Sequence, residues 1–290
     1  MQNIQKNIQL NKYSWFNLGG KAEYFFKPNT IKELKDLFLQ KKFSNDNINF
    51  LGAGSNTLIR DGILKGLVIK LGPGFSFVKI IEENMLQVGA ATLDKTLSIF
   101  ALNNSIEGFE FLSCIPGSIG GAIIMNSGCY NEQISDRLLS IEAINSEGKI
   151  IEIKKQDLKF TYRNCDLNKK YLILSAKFSA VKGDKSIIKK KMEYLVNKKK
   201  NDQPSQIKTC GSTFKNPPGK KAWEIIKLSG CDKIRVGNAS ISPKHSNFFI
   251  NNNGTRSSEV EELIKTVQKK VFEKTGIRLE LEIKILGNSE

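Results

Sequence analysis

The stretch from Phe111 to Tyr130, FLSCIPGSIGGAIIMNSGCY, constrains the fold more than any other part of this chain. It places Gly117, Gly120, Gly121 and Gly128 within an otherwise apolar segment. Because glycine has no Cβ atom, it adopts backbone angles closed to other residues and lets a ligand approach the main chain. The pattern therefore favours backbone amides wrapped around a flat or anionic group such as a diphosphate. A buried glycine-rich turn between two strands explains the stretch equally well.

The composition indicates a soluble globular protein. Of the 290 residues, 40% are hydrophobic and 26% are charged, and this length supports one large domain or two of ordinary size. No apolar run approaches the ~20 residues that a membrane-spanning helix needs. Residues 1–14 contain neither the apolar segment nor the small-residue cleavage site of a secretory signal. We therefore expect a cytoplasmic protein that does not bind membranes.

Cysteine and histidine usage argues against a metal site and against disulfides. The cysteines form no CxxC pair and are odd in number, which disfavours both a disulfide framework and a zinc site. His245 is the single histidine, so a histidine-based metal site is not expected. The five cysteines are Cys114, Cys129, Cys165, Cys210 and Cys231.

The net charge of +16 leaves two interpretations. Nucleic-acid binding requires clustered Lys and Arg side chains that contact phosphates. The lysines here are spread along the chain, and their densest run, Lys189 to Lys200, lies on one amphipathic segment without the aromatic-interleaved stripe of RNA-binding proteins. A lysine-rich solvated surface that attracts anionic substrates is the better explanation, and nucleic-acid binding stays as the alternative.

A second glycine motif follows the short strand that the sequence predicts at 48–51. GAGSN, at 52–56, continues directly from this strand, an order that suits a phosphate-binding turn. No helix pattern opens on these glycines, and residues 59–69 indicate more strand instead. A Rossmann dinucleotide site requires such a helix, so the motif is not that fingerprint.

Two capping-box signatures predict helix starts, Thr30 with Glu33 and Ser258 with Glu261. The second precedes the clearest amphipathic pattern of the chain, which ends at Gly276 as a helix C-cap should. Its apolar face comprises Val260, Leu263, Ile264, Val267 and Val271. Further helices are predicted from Leu93 onward, over 186–200 and over 222–228.

Strands are predicted among these helices. Residues 141–144 and 150–153 alternate around a turn and predict an antiparallel hairpin. The remaining strands are predicted on both sides of the Gly19-Gly20 turn within 14–27, and at 85–88, 171–178 and 279–286. Strands and helices without strict βαβ alternation argue for an α+β fold in two parts.

Six motifs, in this order, resemble the UDP-N-acetylenolpyruvoylglucosamine reductase family over nearly the whole chain, from Ser14 to Gly287. Any one of them is weak evidence, whereas the ordered set is specific. The motifs are SWFNLGGKAEY (14–24), LGAGSN (51–56), EFLSCIPGSIGGA with MNSGCYNEQISD (110–136), CGSTFKNP (210–217), SPKHSNFFIN (242–251) and LELEIKILG (279–287).

The resemblance implies an α+β fold with an FAD-binding domain of the vanillyl-alcohol-oxidase (PCMH) type at 1–183, followed by a smaller α+β substrate-binding domain at 184–290. It also implies that NADPH reduces non-covalently bound FAD, and that reduced FAD gives a hydride to the enolpyruvyl ether of UDP-N-acetylglucosamine-enolpyruvate. The product is UDP-N-acetylmuramate, a precursor of peptidoglycan. The chain carries no tyrosine-loop insertion and so resembles the family's shorter branch, and we expect a monomer.

Three catalytic residues carry over by motif. Ser212 matches the family's proton donor, and Arg163 and Glu282 match the pair that acts on the substrate carboxylate. A permanently charged, bidentate arginine suits an enolate that forms beside a carboxylate. A serine hydroxyl serves as an acid only towards a strongly basic carbanion-like centre. Glu282 sharing a proton with the substrate would need a raised pKa.

The resemblance also implies residues that bind the cofactor and the substrates. Lys215 suits a phosphate as a point charge, whereas a lone histidine such as His245 is more often structural. The implied FAD contacts are Gly52, Gly54, Ser55, Asn56, Gly117, Ser118, Gly120 and Gly121. The implied substrate contacts are Tyr162, Lys215, Asn216 and His245.

Four positions depart from the family pattern. Asn17 replaces a usual basic residue, and Cys129 and Leu281 replace a small residue and a proline. Cys114 stands where glycine is usual, and it would strain the turn by roughly 1 kcal/mol or more if this position needed a positive φ. A flavoprotein oxidase or dehydrogenase of the same fold superfamily, acting on another substrate, is the nearest alternative to the reductase.

Overall fold

The computed structural model describes residues 3–287, which form two compact units. Unit 1 contains the residues up to Gln5, Tyr24–Ala53 and Gly66–Lys199. Unit 2 contains Lys6–Glu23, Gly54–Lys65 and the residues from Lys200 onward. The boundary predicted after residue 183 divides the chain once, whereas each compact unit is assembled from three separate segments.

The described residues contain both helices and strands, as the predicted α+β class requires. The helices are α1 (Ile31–Leu39), α2 (Asp94–Asn103), α3 (Ile119–Ile124), α4 (Lys185–Asp202), α5 (Ala222–Leu228) and α6 (Ser257–Thr275). The strands are β1 (Gln5–Gln9), β2 (Lys21–Phe26), β3 (Ile48–Phe50), β4 (Thr57–Ile59), β5 (Ile63–Ile69), β6 (Val78–Glu82), β7 (Met85–Gly89), β8 (Ile106–Glu107), β9 (Gly128–Cys129), β10 (Glu132–Gln133), β11 (Leu138–Ile144), β12 (Ile150–Lys154), β13 (Phe160–Thr161), β14 (Asn164–Cys165), β15 (Leu172–Ser179), β16 (Val181–Lys182), β17 (Arg235–Val236), β18 (Ala239–Ile241), β19 (Phe249–Asn251) and β20 (Lys284–Leu286).

Unit 1 is built around a five-stranded antiparallel sheet in the order β12-β11-β15-β7-β6. The predicted hairpin forms its β11–β12 edge, with Ile144 opposite Ile150 and Ile141 opposite Ile153. Apolar side chains of this sheet, of α2 and of α3 form one buried core. A second core lies beneath α1, whose start has the predicted capping box of Thr30 with Glu33.

Unit 2 contains a three-stranded antiparallel sheet, β17-β18-β19, and the parallel pair β4–β20. All five apolar positions predicted for α6 are buried in its core. Helix α6 ends at Gly276 with a φ of 69°, as predicted. Strand β4 from the first part of the chain pairs with β20 near the end, so unit 2 combines segments that are distant in the sequence.

Three local predictions need correction. Residues 14–18 form a turn instead of a strand, because Asn17 has a φ of 54° and donates its N–H to the carbonyl of Ser14. Ser258 lies inside α6 and does not cap it; the carboxylate of Asp61 accepts its N–H at 3.0 Å instead. The predicted terminal strand is regular over β20 alone, with an isolated bridge at Leu281.

The lysine-rich run lies on α4, and its side chains make contacts within unit 1. Lys191 forms ion pairs with Glu110 and Glu132 at 3.3 Å and 2.8 Å. Lys198 lies over the ring of Tyr130 at 4.9 Å. Several of the lysines that suggested nucleic-acid binding are therefore engaged in packing the protein itself. Among residues 3–287, no helix has the length and apolar character to cross a membrane.

Candidate functional site

In unit 1 the glycine-rich stretch forms a 3₁₀ turn (Glu110–Cys114), a short loop and helix α3. It is therefore not a turn between two strands. Residues 90–94 fix the position of this loop. The N–H groups of Ile119 and Gly120 donate to the carbonyls of Thr92 and Ala90, each at 2.9 Å. Within residues 3–287, no protein acceptor is found for the N–H groups of Gly117 and Ser118. These two amides are the backbone donors that the loop can offer to an anion.

The glycines of this loop differ in whether neighbouring protein atoms leave space for a Cβ atom. A Cβ atom on Gly117 would lie 2.4 Å from Oδ2 of Asp94, and one on Gly120 would lie 3.2 Å from Cβ of Ala90. Protein packing alone therefore explains both positions. A Cβ atom on Gly121 would meet only Oγ of Ser118, at 3.6 Å, so packing does not require glycine there. A cradle that a ligand fills gives a reason for Gly121.

Gly52 lies beside this loop, since a Cβ atom on it would be 2.9 Å from Oγ of Ser118. Gly52 follows β3, and Lys70 follows β5, which pairs parallel to β3. The Nζ atom of Lys70 donates to the carbonyl of Gly52. Burial, and to a smaller extent the charge of Lys27, lowers the pKa of Lys70. Among the described residues Lys70 has no carboxylate within ion-pair distance, so this desolvated cation suits an anionic ligand.

The last three residues of the GAGSN motif, Gly54, Ser55 and Asn56, belong to unit 2. Gly54 has a φ of 71°, and a Cβ atom on it would lie 1.9 Å from the carbonyl oxygen of Tyr13, so packing requires glycine there. The side-chain amide of Asn56 donates to the carbonyl of Glu282 at 3.0 Å, and Lys284 donates its N–H to the carbonyl of Asn56 at 2.9 Å. Asn56 thus fixes the backbone at Glu282. Ser55 is half-buried.

Tyr162 and Arg163 are the two loop residues of the β13–β14 hairpin in unit 1. Arg163 has a φ of 57° and Tyr162 is not among the described residues with positive φ, the pattern of a type II turn, where glycine or asparagine is normal at this position. The Nη2 atom of Arg163 donates to the carbonyl of Gly128 at 2.7 Å, and its guanidinium carbon lies 4.9 Å from the centre of the Tyr162 ring. Arg163 therefore has a costly backbone conformation, and its guanidinium is fixed by Gly128 and by the Tyr162 ring. This combination indicates a functional role.

Asn126, near the end of the glycine-rich stretch, supports this hairpin. Its side-chain amide is buried and donates to Oε1 of Gln133 at 2.9 Å and to the carbonyl of Thr161 at 3.1 Å. The stretch and the hairpin that presents Arg163 are therefore connected through both Asn126 and Gly128.

Ser212 and Glu282 lie on neighbouring segments of unit 2. Glu282 donates its N–H to the carbonyl of Thr213 at 2.9 Å, and Phe214 forms a bridge with Leu281. Ser212 itself forms a bridge with Phe248. The structure thus brings two of the three predicted catalytic residues into one local backbone network.

Two predicted substrate-binding residues also lie on this part of unit 2. The Nζ atom of Lys215 is 3.5 Å from Oε2 of Glu280. The Oδ1 atom of Asn216 accepts the N–H of Ala222 at 3.0 Å, so this oxygen stabilises the first turn of α5. The amide nitrogen of Asn216 is the end of the side chain that can serve a substrate.

His245 is part of a structural cluster. Its Nδ1 atom accepts the N–H of Asn247 at 3.3 Å, and its ring packs against Phe248 and Trp223 at centroid distances of 4.8 Å and 6.0 Å. Burial lowers the pKa of His245. These contacts hold a neutral imidazole beside Phe248, which forms a bridge with Ser212.

The departures at Asn17 and Cys114 have local explanations. The positive φ of Asn17 is one that asparagine adopts more readily than a basic residue does. Cys114 is not among the described residues with positive φ, so the anticipated strain does not arise. The Cys129 side chain, Ser113 and the charge of Lys199 lower the pKa of Cys114. Interaction with Cys114 and burial raise the pKa of Cys129. Leu281 packs against the core of unit 2.

Asp94 escaped detection in the sequence. Its carboxyl is completely buried against the glycine loop, and neither oxygen has a hydrogen-bond partner among the described residues. Lys70 was missed as well. Asp94 is the first residue of α2 and Lys70 follows β5, and neither belongs to a recognisable motif. The packing of Gly117 reveals Asp94, and the parallel pairing of β3 with β5 reveals Lys70. Among the described residues, no cluster of His, Cys, Asp or Glu could hold a metal ion.

Comparison with known proteins identifies close relatives. A family described as "FAD binding domain" matches residues 22–154, and one described as "UDP-N-acetylenolpyruvoylglucosamine reductase, C-terminal domain" matches residues 203–286. A protein of Pelagibacter ubique named UDP-N-acetylenolpyruvoylglucosamine reductase is 46% identical over 98% of this chain and 94% of its own length. A protein of the same name from Rickettsia massiliae is 42% identical over 98% of this chain and 95% of its own length.

A solved structure agrees with these matches. The crystal structure of UDP-N-acetylenolpyruvylglucosamine reductase from Thermus caldophilus superposes with a TM-score of 0.86 and 29% identity, covering 98% of this chain and 99% of that one. The predicted fold class, an FAD-binding domain followed by a smaller α+β domain, is thereby confirmed.

Proposed function

The chain belongs to the UDP-N-acetylenolpyruvoylglucosamine reductase family, and we propose that Arg163, Ser212 and Glu282 carry its substrate chemistry. It is an FAD-containing oxidoreductase of peptidoglycan precursor synthesis that reduces UDP-N-acetylglucosamine-enolpyruvate to UDP-N-acetylmuramate with NADPH as reductant. FAD, when bound, supplies the hydride that reduces the enolpyruvyl double bond.

The residues of unit 1 fit an FAD diphosphate. The N–H groups of Gly117 and Ser118 have no protein acceptor within the described chain, and packing does not account for Gly121. Lys70 adds a desolvated cation beside Gly52. We assign the diphosphate to this loop, with backbone amides and one lysine as its donors. Ser55 and Asn56 are proposed as further cofactor-binding residues.

Arg163 is assigned to the substrate carboxylate. Negative charge develops beside this carboxylate when the double bond is reduced, and a fixed cation stabilises that charge without reorganising. The bond from Nη2 to the carbonyl of Gly128 fixes the orientation of the guanidinium. This positive-φ arginine, held by the glycine-rich stretch, is the observation that carries the assignment.

Ser212 is assigned to hold the proton that reaches C2 of the substrate from its Oγ atom. A positioned acid of this kind contributes about 10²–10⁴-fold to the rate. Glu282 is assigned to act on the substrate carboxylate, and its backbone is fixed by Thr213 and Asn56. Tyr162, Lys215 and Asn216 are assigned to substrate and NADPH binding, whereas His245 supports the Ser212 segment from behind.

The function is tested by following NADPH oxidation with the purified flavoprotein. The enzyme should consume NADPH rapidly when UDP-N-acetylglucosamine-enolpyruvate is present and slowly without it. Equal NADPH consumption in both conditions would contradict the reductase assignment and favour an oxidase.

We further propose that the enzyme acts as a cytoplasmic monomer. Light scattering of the purified holoenzyme tests the oligomeric state.

A further inference from the structure

Asp94 is an unusual residue for a protein interior. It is the first residue of α2, its side chain is 0% exposed, and neither carboxyl oxygen has a hydrogen-bond partner within the described chain. Ser98, one turn later on the same helix, is also buried with an unpartnered hydroxyl. An ionised carboxylate without a partner is costly in such surroundings. Burial accordingly raises the pKa of Asp94 to about 8, so the carboxyl is uncharged at neutral pH.

This carboxyl lies directly beneath the loop assigned to the FAD diphosphate. Asp94 donates its N–H to the carbonyl of Gly117 at 3.2 Å, and Leu93 forms a bridge with Ser118. Its Oδ2 atom occupies the space that a Cβ atom on Gly117 would need, at 2.4 Å. The side chain therefore touches the backbone that carries the free amides, and it does so from the buried side.

No other titratable group accounts for the state of Asp94. Helix α2 packs against the Glu110–Cys114 turn and against β8, which bring Glu110 and Glu107. Neither contributes to the pKa of Asp94, whose shift has burial as its cause, and Glu110 is paired with Lys191. Lys95, the neighbour of Asp94 on α2, is exposed. Residues 89–92 and 116–121 carry no ionisable side chain.

We propose that Asp94 is a positioning residue that links FAD binding to a proton: the loop accepts the FAD diphosphate while Asp94 is protonated, and loss of this proton weakens FAD binding. This rests on the proposed placement of the diphosphate at residues 117–121. An anion at the Gly117 and Ser118 amides would repel an ionised Asp94 across a medium of low dielectric constant. A neutral Asp94 exerts no such repulsion. By linkage, the bound diphosphate raises the pKa of Asp94 further, and FAD binding above neutral pH takes up a proton.

The test measures the Kd of FAD for the full-length apoprotein by flavin fluorescence, from about pH 6 to about pH 10, across the pKa of Asp94. For the wild type, FAD affinity should be constant below the pKa and fall by up to about tenfold per pH unit above it. The Asp94→Asn variant keeps the size and the uncharged state of the protonated acid. Its FAD affinity should fall less steeply with rising pH than that of the wild type, and the fall that remains comes from Lys70, whose pKa is lowered by burial.

Ser98→Ala is the matched control, because it removes the other unpartnered group of the same helix face and should leave the pH profile unchanged. A wild-type FAD affinity that does not change with pH, or an Asp94→Asn variant whose affinity falls with the wild-type slope, would overturn the proposal.

Calorimetry of FAD binding to the wild type, in buffers of different ionisation enthalpy, measures the proton uptake directly and needs no variant. Proton uptake above neutral pH is expected, and its absence would refute the linkage.

These results separate this inference from the proposed function. An apoprotein that binds no FAD at any pH would contradict both. An enzyme that binds FAD and turns over substrate, but whose Asp94→Asn variant titrates like the wild type, would contradict the role of Asp94 alone.

Discussion

Arg163 donates through Nη2 to the main-chain carbonyl of Gly128 at 2.7 Å. This bond joins the hairpin loop of one predicted catalytic residue to the end of the glycine-rich stretch. The two sequence features that stood apart in the chain are therefore parts of one local arrangement in unit 1. The arrangement explains why an arginine is retained at a φ of 57°, where its backbone costs on the order of 1–3 kcal/mol.

The strain at Arg163 predicts opposite effects on stability and activity. Arg163→Gly relieves the positive φ, so the free energy of unfolding should be unchanged or raised by up to about 1 kcal/mol. The same change removes the guanidinium, and kcat/KM should fall at least about 100-fold. Urea denaturation and steady-state kinetics measure the two effects. Arg137→Gln, which removes an ion pair with Glu107 in the same unit, is the control for loss of charge. A variant that loses stability together with activity would contradict a strained functional loop.

Lys70 should contribute to FAD affinity through its charge. Lys70→Gln removes the cation beside Gly52 and should weaken FAD binding by about tenfold, because a charge-assisted contact with phosphate is lost. The difference from the wild type should shrink at high salt. Lys65→Gln, a change of an exposed lysine shortly before it, should have no effect. Equal FAD affinities for Lys70→Gln and the wild type would exclude a role at the diphosphate.

Asp94 also predicts how the stability of the apoprotein depends on pH. Its pKa rises from 3.8 in the unfolded chain to about 8 in the fold, so the folded state binds more protons between these values. The stabilisation is complete below the lower pKa and is lost as pH rises to the upper one. Asp94→Asn has no such titration. Its free energy of unfolding, relative to the wild type, should increase by up to about 1.4 kcal/mol per pH unit in this interval. A constant difference between the two proteins would contradict a neutral buried Asp94.

The thiol pair Cys114 and Cys129 should titrate in two separated steps. Interaction with the Cys129 side chain lowers the pKa of Cys114, and interaction with Cys114, together with burial, raises the pKa of Cys129. Thiolate absorbance of the apoprotein should therefore begin to increase at a pH below that of an ordinary cysteine. Cys114→Ser should abolish this first step. Cys210→Ser should not, because burial raises the pKa of Cys210 to about 12. An unchanged first step in Cys114→Ser would contradict this order.

The predictions from sequence succeeded where a pattern is local. The apolar face of α6, the Thr30 capping box and the β11–β12 hairpin each depend on residues within a few positions of one another, so periodicity and turn chemistry reveal them. That the glycine-rich stretch binds an anion stays a prediction. The domain limits at 1–183 and 184–290 and the roles of individual site residues stay predictions.

What the sequence could not supply depends on contacts between distant residues. Asp61 caps α6 although it lies 197 positions before Ser258 in the sequence. No local sequence pattern predicts this contact. Ser258 has the local pattern of a cap, but α6 already begins at Ser257, and the carboxylate of Asp61 accepts the N–H groups of both serines. Asp94 and Lys70 acquire their properties from burial and from neighbouring strands, which the sequence does not display.

The central claim is that Ser212 acts only in the half-reaction that involves the enolpyruvyl substrate. Anaerobic stopped-flow measurement of flavin absorbance separates this half-reaction from reduction of the flavin by NADPH. Ser205→Ala, which changes an exposed serine on the preceding loop, is the control and should behave as the wild type in both. For Ser212→Ala, reduction by NADPH should stay within about twofold of the wild-type rate, and reoxidation by UDP-N-acetylglucosamine-enolpyruvate should slow by at least about 100-fold. Equal losses in the two half-reactions, or reoxidation at the wild-type rate, would contradict the account.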